Sequence, residues 1–149
     1  MDYSNWLTNT WIVLATLVLL LACVVGHYEG LNLLARRLAR RQGPRRPRVL
    51  YAVLGAVCLH IAEIWLFGLG IWLLLHLADA GHVIGMSDAR LLDSVYLSAV
   101  TYSTVGFGDV APSGPIRFLI GTESLLGFVL ITWSASFTFL EMEKNWREH

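Results

Sequence analysis

Cysteine and charge are scarce in this chain of 149 residues. Its two cysteines, Cys23 and Cys58, both lie inside apolar runs, so they do not suggest a disulfide framework. Charged residues make up only 15% of the sequence, and it contains neither Cys/His pairs with metal-site spacing nor a nucleotide-binding loop. Catalysis is therefore not expected.

Apolar residues dominate instead. They make up 56% of the chain, and the mean hydropathy of +0.58 is too high for a soluble domain of this size. A helix needs about 20 apolar residues to cross the hydrocarbon core of a bilayer. Because backbone groups in lipid must bond within their own segment, each run of that length should be a helix. Three runs qualify: Trp6–Val25, Val49–Leu77 and Ile116–Leu140.

The first apolar run is expected to remain in the protein as a membrane span. A cleaved signal peptide would have a basic n-region and an apolar core of about 7–15 residues. Residues 1–5 carry no positive charge, and the run from Trp6 to Val25 is longer than such a core. Leu20–Cys23 resembles a lipoprotein cleavage box, which leaves lipoprotein processing as the alternative.

Basic residues are concentrated between the first and second runs. Seven of the 11 Lys and Arg residues lie between Arg36 and Arg48. Cytoplasmic loops carry such an excess of basic residues. We therefore expect a protein of the cell (plasma or inner) membrane whose N-terminus lies outside and whose tail, 141–149, lies in the cytoplasm. In the simplest interpretation, the arginines only fix the orientation of the spans in the membrane. In the alternative interpretation, they also contact anionic lipid headgroups. Nucleic acid is not an expected partner.

Residues 104–109 are the most informative part of the chain. They read T-V-G-F-G-D, so two glycines alternate with two other residues. Glycine adopts positive φ without steric penalty, which allows successive carbonyl groups to point the same way. A row of carbonyl oxygens can replace the water shell of a cation, as in the T-V-G-Y-G loop of potassium channels. The alternative interpretation of G-F-G alone is a tight surface turn.

This hexapeptide resembles the potassium-channel signature, with Phe107 where Tyr is commoner. The resemblance implies a potassium-selective pore and passive K⁺ conduction, with no cofactor beyond the permeating ion. One loop offers only one column of oxygens, so the resemblance also implies a homotetramer around a shared axis. Gly108 would turn the chain outward. The residues whose carbonyl groups would hold K⁺ are Thr104, Val105, Gly106 and Phe107.

The resemblance also assigns residues that support the filter. Asp109 would brace the outer mouth against the pore helix, and we predict Tyr96 as its partner, where Trp is usual in the family. In the family, a Trp at the position of Leu97 often donates a hydrogen bond to the hydroxyl of the filter Tyr. Here Phe107 lacks that hydroxyl and Leu97 lacks the donor, so no polar group is left without a partner. The predicted supporting residues are Asp109, Tyr96, Thr101 and Ser103.

Residues 88–102 precede the filter and suit a half-length pore helix. The segment is too short and too polar to span the membrane. Ser87 is the predicted N-cap, and Asp88 is favourable in the first turn. Non-helical backbone at membrane depth must be buried in protein or line water, so the strand after Tyr102 calls for a protein-lined axis.

The third span carries a glycine and an apolar face of interest. Gly127 falls where the family often places a hinge, and close helix packing is the equal alternative. Phe128, Ile131, Ala135 and Phe139 share a face by spacing. This face either lines the inner cavity or packs against the outer helix.

Ionisable residues inside the spans are costly and usually face protein or water. His60 and Glu63 are three apart on one face of the second helix, Glu123 lies in the third, and His27 and Glu29 lie just past the first run. The simplest interpretation is an interhelical hydrogen bond made by His60 or Glu63. The alternatives are a proton sensor built from His60, Glu63 and Glu123, or a metal pair for which no further ligand pair is identified.

Together these observations predict an all-α membrane protein with three transmembrane helices and a re-entrant pore helix and filter loop between helices 2 and 3. Two other functions stay open: a non-conducting subunit that modulates other channels, and a small proton- or metal-coupled transporter. The predicted segments are an N-terminal transmembrane helix (1–35), a basic cytoplasmic loop (36–48), a pore domain (49–140) with outer helix (49–77), turret (78–87), pore helix (88–102), filter (104–109) and inner helix (116–140), and a cytoplasmic tail (141–149).

Overall fold

The structure, a computed structural model, describes residues 5–40, 46–77, 79–86 and 90–146. Within these ranges four helices and two short strands follow one another along the chain. They are α1 (Trp6–Arg40), α2 (Arg46–Leu75), β1 (His82–Ile84), α3 (Leu91–Tyr102), β2 (Ala111–Ser113) and α4 (Arg117–Trp146).

Three of the helices, α1, α2 and α4, are long and apolar enough to cross a membrane. Only 17–28% of the residues in their most apolar windows are buried inside the protein. Outward-facing apolar surface of this extent is stable in lipid and not in water. The chain is therefore an all-α integral membrane protein, to which the strands add only a minor element.

The predicted basic loop at 36–48 is shorter in the structure. α1 continues without a break to Arg40, and α2 already begins at Arg46. Leu38 is buried, so the arginine-rich end of α1 still packs against the protein. Pro47 is tolerated because it lies in the first turn of α2, where the missing N–H would have no helical partner. The two spans therefore carry part of the basic segment as helix.

α4 is longer than the predicted inner helix at 116–140. It begins at Arg117 and runs to residue 146, so most of the predicted tail at 141–149 is helical. Glu141 is buried and pairs with Lys144 at 2.5 Å, one turn further along. Such i,i+3 pairs favour continuation of a helix.

α3 begins three residues later than predicted. Its N-cap is Arg90, whose backbone is extended and whose side chain makes no capping hydrogen bond. The predicted N-cap Ser87 and its neighbour Asp88 lie outside the described residues. With 12 residues, α3 is about 18 Å long and cannot span the membrane.

Two glycines allow α3 to lie directly between α2 and α4. A Cβ on Gly68 of α2 would lie 2.7 Å from the Cα of Val95. A Cβ on Gly127 of α4 would clash with the carbonyl oxygen of Tyr102 and lie 2.8 Å from its carbonyl carbon. Both neighbours are backbone, which cannot move aside as a side chain can. α3 is therefore packed with its backbone close to the backbones of both α2 and α4.

The predicted turret at 78–87 is partly ordered by strand pairing. α2 ends at Leu75, and β1 then pairs with β2 in an antiparallel arrangement. Ala80 is buried and accepts a hydrogen bond from the backbone N–H of Ile116 at 2.9 Å. This pairing joins the segments on both sides of α3 and closes the loop. The register is His82 with Ser113, Val83 with Pro112 and Ile84 with Ala111.

Candidate functional site

The backbone after α3 alternates between two hands. Thr104, Gly106 and Gly108 have positive φ values of 59°, 51° and 82°, whereas Val105 and Phe107 between them do not. This alternation is the backbone pattern that turns successive carbonyl groups to one side. The glycines adopt it freely. Thr104 is β-branched, so its positive φ is a strained conformation of the kind that concentrates at functional sites.

Two hydrogen bonds attach this segment to the C-terminal end of α3. The N–H of Thr104 donates to the carbonyl of Thr101 at 2.9 Å, and the N–H of Gly106 donates to the carbonyl of Val100 at 3.0 Å. The last carbonyl groups of a helix have no intrahelical partner, so they are available as acceptors. The segment therefore starts from a fixed support and is not a free loop.

Residues 103–109 are all exposed, although α3 before them is largely buried. Val105 is 56% and Phe107 71% exposed, whereas Tyr102 is 1% exposed. A Cβ on Gly106 or Gly108 would meet no atom within 4 Å. The protomer thus supports the segment on the side of α3 and leaves the opposite side, its front, uncovered.

Asp109 and Tyr96 are in contact at the C-terminal end of the segment. The Tyr96 hydroxyl donates to Oδ2 of Asp109 at 2.7 Å, and this bond raises the pKa of the phenol. A Cβ on Gly85 would clash with the carbonyl oxygen of Asp109, so the turret also lies against this residue. The predicted partners are therefore together, and their support of the filter stays a prediction. Leu97 is buried, as expected for a position that needs no polar partner.

Glu63 is the centre of a buried polar cluster behind the segment. Its Oε1 lies 2.8 Å from Nδ1 of His27, and its Oε2 lies 3.1 Å from Nδ1 of His60. The Tyr102 hydroxyl donates to Oε2 at 2.5 Å and lies 2.9 Å from Nδ1 of His60. Ser134 of α4 lies 3.3 Å from Nε2 of His27. The predicted interhelical hydrogen bond of Glu63 is thus present, and it links α2 to both α1 and α3.

Sequence reasoning missed two members of this cluster. His27 lies well inside α1 and is fully buried. The predicted N-terminal helix at 1–35 contains it, but its contact with Glu63 was not predicted. Tyr102 was predicted only as the last residue of the pore helix. The signal that could have found the partner of His27 is that an ionisable residue within a membrane-spanning helix needs a partner in the protein.

Glu123 does not belong to the Glu63 cluster. Its Oε1 lies 2.5 Å from the hydroxyl of Ser98, and its buried Oε2 has no hydrogen-bond partner. Ser98 also lies 2.9 Å from the carbonyl oxygen of Ile64. The single hydroxyl hydrogen of Ser98 cannot be donated fully to both the Ile64 carbonyl and the Glu123 carboxylate. A neutral, protonated Glu123 that donates to the Ser98 oxygen therefore suits this place. The three residues grouped as a sensor are therefore not joined in one hydrogen-bond network.

Glu123→Gln should retain the stability of the protein, because glutamine keeps the length and can donate to Ser98. Glu123→Asp should lose about 1–3 kcal/mol, because the shorter chain leaves a buried polar group without its partner. Thermal unfolding of the detergent-purified variants measures both. A stable Asp variant beside an unstable Gln variant would mean that the carboxylate charge matters and the reach does not.

The predicted cavity face of α4 is exposed on the protomer. Phe128 is 58%, Ile131 38% and Phe139 55% exposed, and Ala135 is exposed as well. The face is therefore not buried against α2 within the chain, and its role stays a prediction. Gly127 beside it is buried against Tyr102, as the packing interpretation requires, and α4 is a continuous helix at this position.

A half-length helix held between two spans and followed by an irregular exposed segment is an arrangement typical of membrane channels, since such backbone at membrane depth must line water or lie in protein. Residues 48–144 match the family described as ion channel. The match covers about two thirds of the chain, so the chain belongs to this ion channel family. It is an integral membrane protein of a non-enzymatic class.

Two curated relatives match a shorter part of the chain. Protein LctB of Geobacillus stearothermophilus is 45% identical over 42 residues, which are 28% of this chain and 31% of LctB. Protein LctB of Bacillus caldotenax is 45% identical over 40 residues, which are 27% of this chain and 30% of that protein. The chain thus covers about a third of the length of these relatives. No solved structure matches it significantly.

Proposed function

We propose that this ion channel is selective for potassium and conducts it passively. The observation that carries the proposal is the alternating backbone of residues 104–108. Because the carbonyl groups of Thr104, Val105, Gly106 and Phe107 would turn to one side, they would replace the water shell of K⁺. Selectivity of this kind rests on main-chain oxygens, so Phe107 in place of Tyr is compatible with it.

Conduction requires several copies of the chain, and we propose a homotetramer with cyclic symmetry. One protomer supplies one column of oxygens, which cannot surround an ion. The uncovered front of residues 103–109 and the exposed face of Phe128, Ile131 and Ala135 support this assembly. In it, α2, α3 and α4 form the pore unit, and α1 lies at the periphery.

The proposed orientation places the N-terminus outside and the C-terminal end of α4 in the cytoplasm. Arg36, Arg37 and Arg40 are exposed at the C-terminal end of α1. Since α1 has 35 residues and is about 52 Å long, its basic end can project beyond a hydrocarbon core of about 30 Å. There the arginines would meet anionic lipid headgroups, and each arginine near the membrane surface would contribute about 1 kcal/mol of attraction.

Flux in liposomes tests the proposal directly. Purified protein in liposomes loaded with K⁺ should release it rapidly and be blocked by barium, whereas liposomes loaded with Na⁺ should release little. Protein-free liposomes are the control. Equal fluxes of the two ions would refute potassium selectivity, and a monomer in native mass spectrometry without any flux would refute the channel assembly.

A further inference from the structure

Four donor atoms from three helices converge behind the filter. His27 comes from α1, His60 and Glu63 from α2, and Tyr102 from α3. The ligand atoms of the two histidines and the carboxylate all lie within 4.8 Å of one another. His27 and Glu63 are buried, and the side chain of His60 is only 16% exposed. We propose that these residues bind a divalent transition-metal ion of the Zn²⁺ class.

The donor set matches the chemistry of such an ion. Two imidazole nitrogens and one carboxylate form a known protein ligand set for zinc, and imidazole also suits copper, iron and nickel. The Tyr102 oxygen lies 2.9 Å from Nδ1 of His60 and 2.5 Å from Oε2 of Glu63. It therefore lies close enough to both side chains to act as a fourth ligand or to hold a metal-bound water.

The distances between donor atoms suit the site with small adjustments. Metal–ligand bonds of about 2.0–2.1 Å in a tetrahedron separate neighbouring ligand atoms by about 3.3 Å. The two histidine nitrogens lie 2.8 Å and 3.1 Å from the oxygens of Glu63. Opening these two pairs by a few tenths of an ångström would let a metal ion replace the proton that each pair shares. The Tyr102 oxygen, 2.5 Å from Oε2 of Glu63, would have to move further or bind the ion through a water molecule.

Charge in the surrounding membrane also calls for a cation. Neither residues 1–35 nor residues 49–89 contain Lys or Arg, and the stretch 118–143 of α4 has none either. An ionised Glu63 beside two neutral imidazoles would leave one negative charge at membrane depth, which is costly without a partner. A divalent cation held by the three side chains supplies the missing positive charge.

Ser134 provides the outer contact that metal-binding histidines usually have. Its hydroxyl lies 3.3 Å from Nε2 of His27, on the side of the ring opposite to Glu63. When Nε2–H donates to this hydroxyl, the lone pair of Nδ1 faces the carboxylate. Two acceptors then face each other, and either a proton or a metal ion between them makes the contact favourable.

The ion would tie α1 to the support of the filter. Tyr102 is the last residue of α3, directly before the segment with alternating backbone, and its carbonyl lies against Gly127. Binding would therefore fix α1, α2 and α3 relative to one another where the filter begins. This consequence for flux depends on the proposed channel function, whereas the binding site does not.

Metal binding by the full-length protein tests the site. Detergent-purified protein stripped with a chelator and titrated with Zn²⁺ should take up about one ion per chain by elemental analysis and calorimetry. Co²⁺ in its place should give the visible absorption of a tetrahedral site. His27→Gln and His60→Gln should abolish uptake, and Ser134→Ala should weaken it by about 10–100-fold. His76→Gln is the matched control, because this histidine is exposed and its Nδ1 bonds the backbone carbonyl of Trp72, away from the cluster.

The same titration can overturn the proposal without relying on any variant. Wild-type protein that takes up neither Zn²⁺ nor Co²⁺ would show that the cluster holds only protons. Uptake that survives in the double variant His27→Gln/His60→Gln would place the metal elsewhere. Zn²⁺ should also change K⁺ flux in wild-type liposomes but not in His60→Gln. Binding without any effect on an existing flux would refute the link to the filter, and binding without any flux at all would refute the proposed function alone.

Discussion

Replacing Gly106 by alanine should abolish potassium flux while the protein still folds. Gly106 has a φ of 51°, and a Cβ there would meet no atom within 4 Å, so the penalty is conformational and not steric. An L-residue in the left-handed region costs roughly 1–2 kcal/mol. That is too little to unfold a membrane protein of three packed spans. It is enough to favour a filter in which this peptide unit leaves the alternating pattern and turns its carbonyl away from the ion.

The measurement is K⁺ flux from liposomes, with thermal unfolding as the check on folding. Gly121→Ala is the matched control, since Gly121 lies within α4 and its Cβ would also meet nothing within 4 Å. It should conduct like the wild type. Wild-type flux and an unchanged preference for K⁺ over Na⁺ in Gly106→Ala would show that the carbonyl groups of this segment do not form the filter.

Gly127→Ala should destabilise the protein through a steric clash. The added Cβ would run into the carbonyl oxygen of Tyr102 and lie 2.9 Å from its Cα. Overpacking of this kind typically costs about 1–3 kcal/mol, and here the obstacle is backbone. α4 must therefore move away from the C-terminal end of α3. The proposed filter, residues 104–108, is hydrogen-bonded to that end, so we expect both a lower unfolding temperature and a loss of flux.

Thermal unfolding in detergent and liposome flux should fall together for Gly127→Ala. Gly121→Ala again serves as the control, because it makes the same chemical change in the same helix without a neighbour. A Gly127→Ala protein with normal stability but altered flux would instead favour a hinge at this position. Gly106 is thus needed for its positive φ, and Gly127 for its small size.

Much of the fold was predictable because the membrane permits so few structures. A run of about 20 apolar residues without charge has to be a helix in lipid, so the three spans follow from composition alone. The start of α1 at Trp6 and the end of α3 at Tyr102 agree with the prediction. The continuation of α4 to residue 146 was missed, since helix ends outside the membrane depend on local pairing such as that of Glu141 with Lys144.

The strand pair and the polar cluster were not predictable. β1 and β2 have three residues each and lie on opposite sides of α3 in the chain, so no local pattern marks them as partners. The i,i+3 spacing of His60 and Glu63 was visible, but their partners His27 and Tyr102 come from other helices. Only the packing of α1 against α2 brings the first of these to Glu63.

The sequence by itself determined the spans and the loop T-V-G-F-G-D, because length in lipid and the backbone freedom of glycine are local properties. The tertiary structure alone decided what stands behind that loop. A carboxylate and an imidazole 36 residues apart meet only when two helices cross at one depth, and this depends on which side chains leave room for the approach.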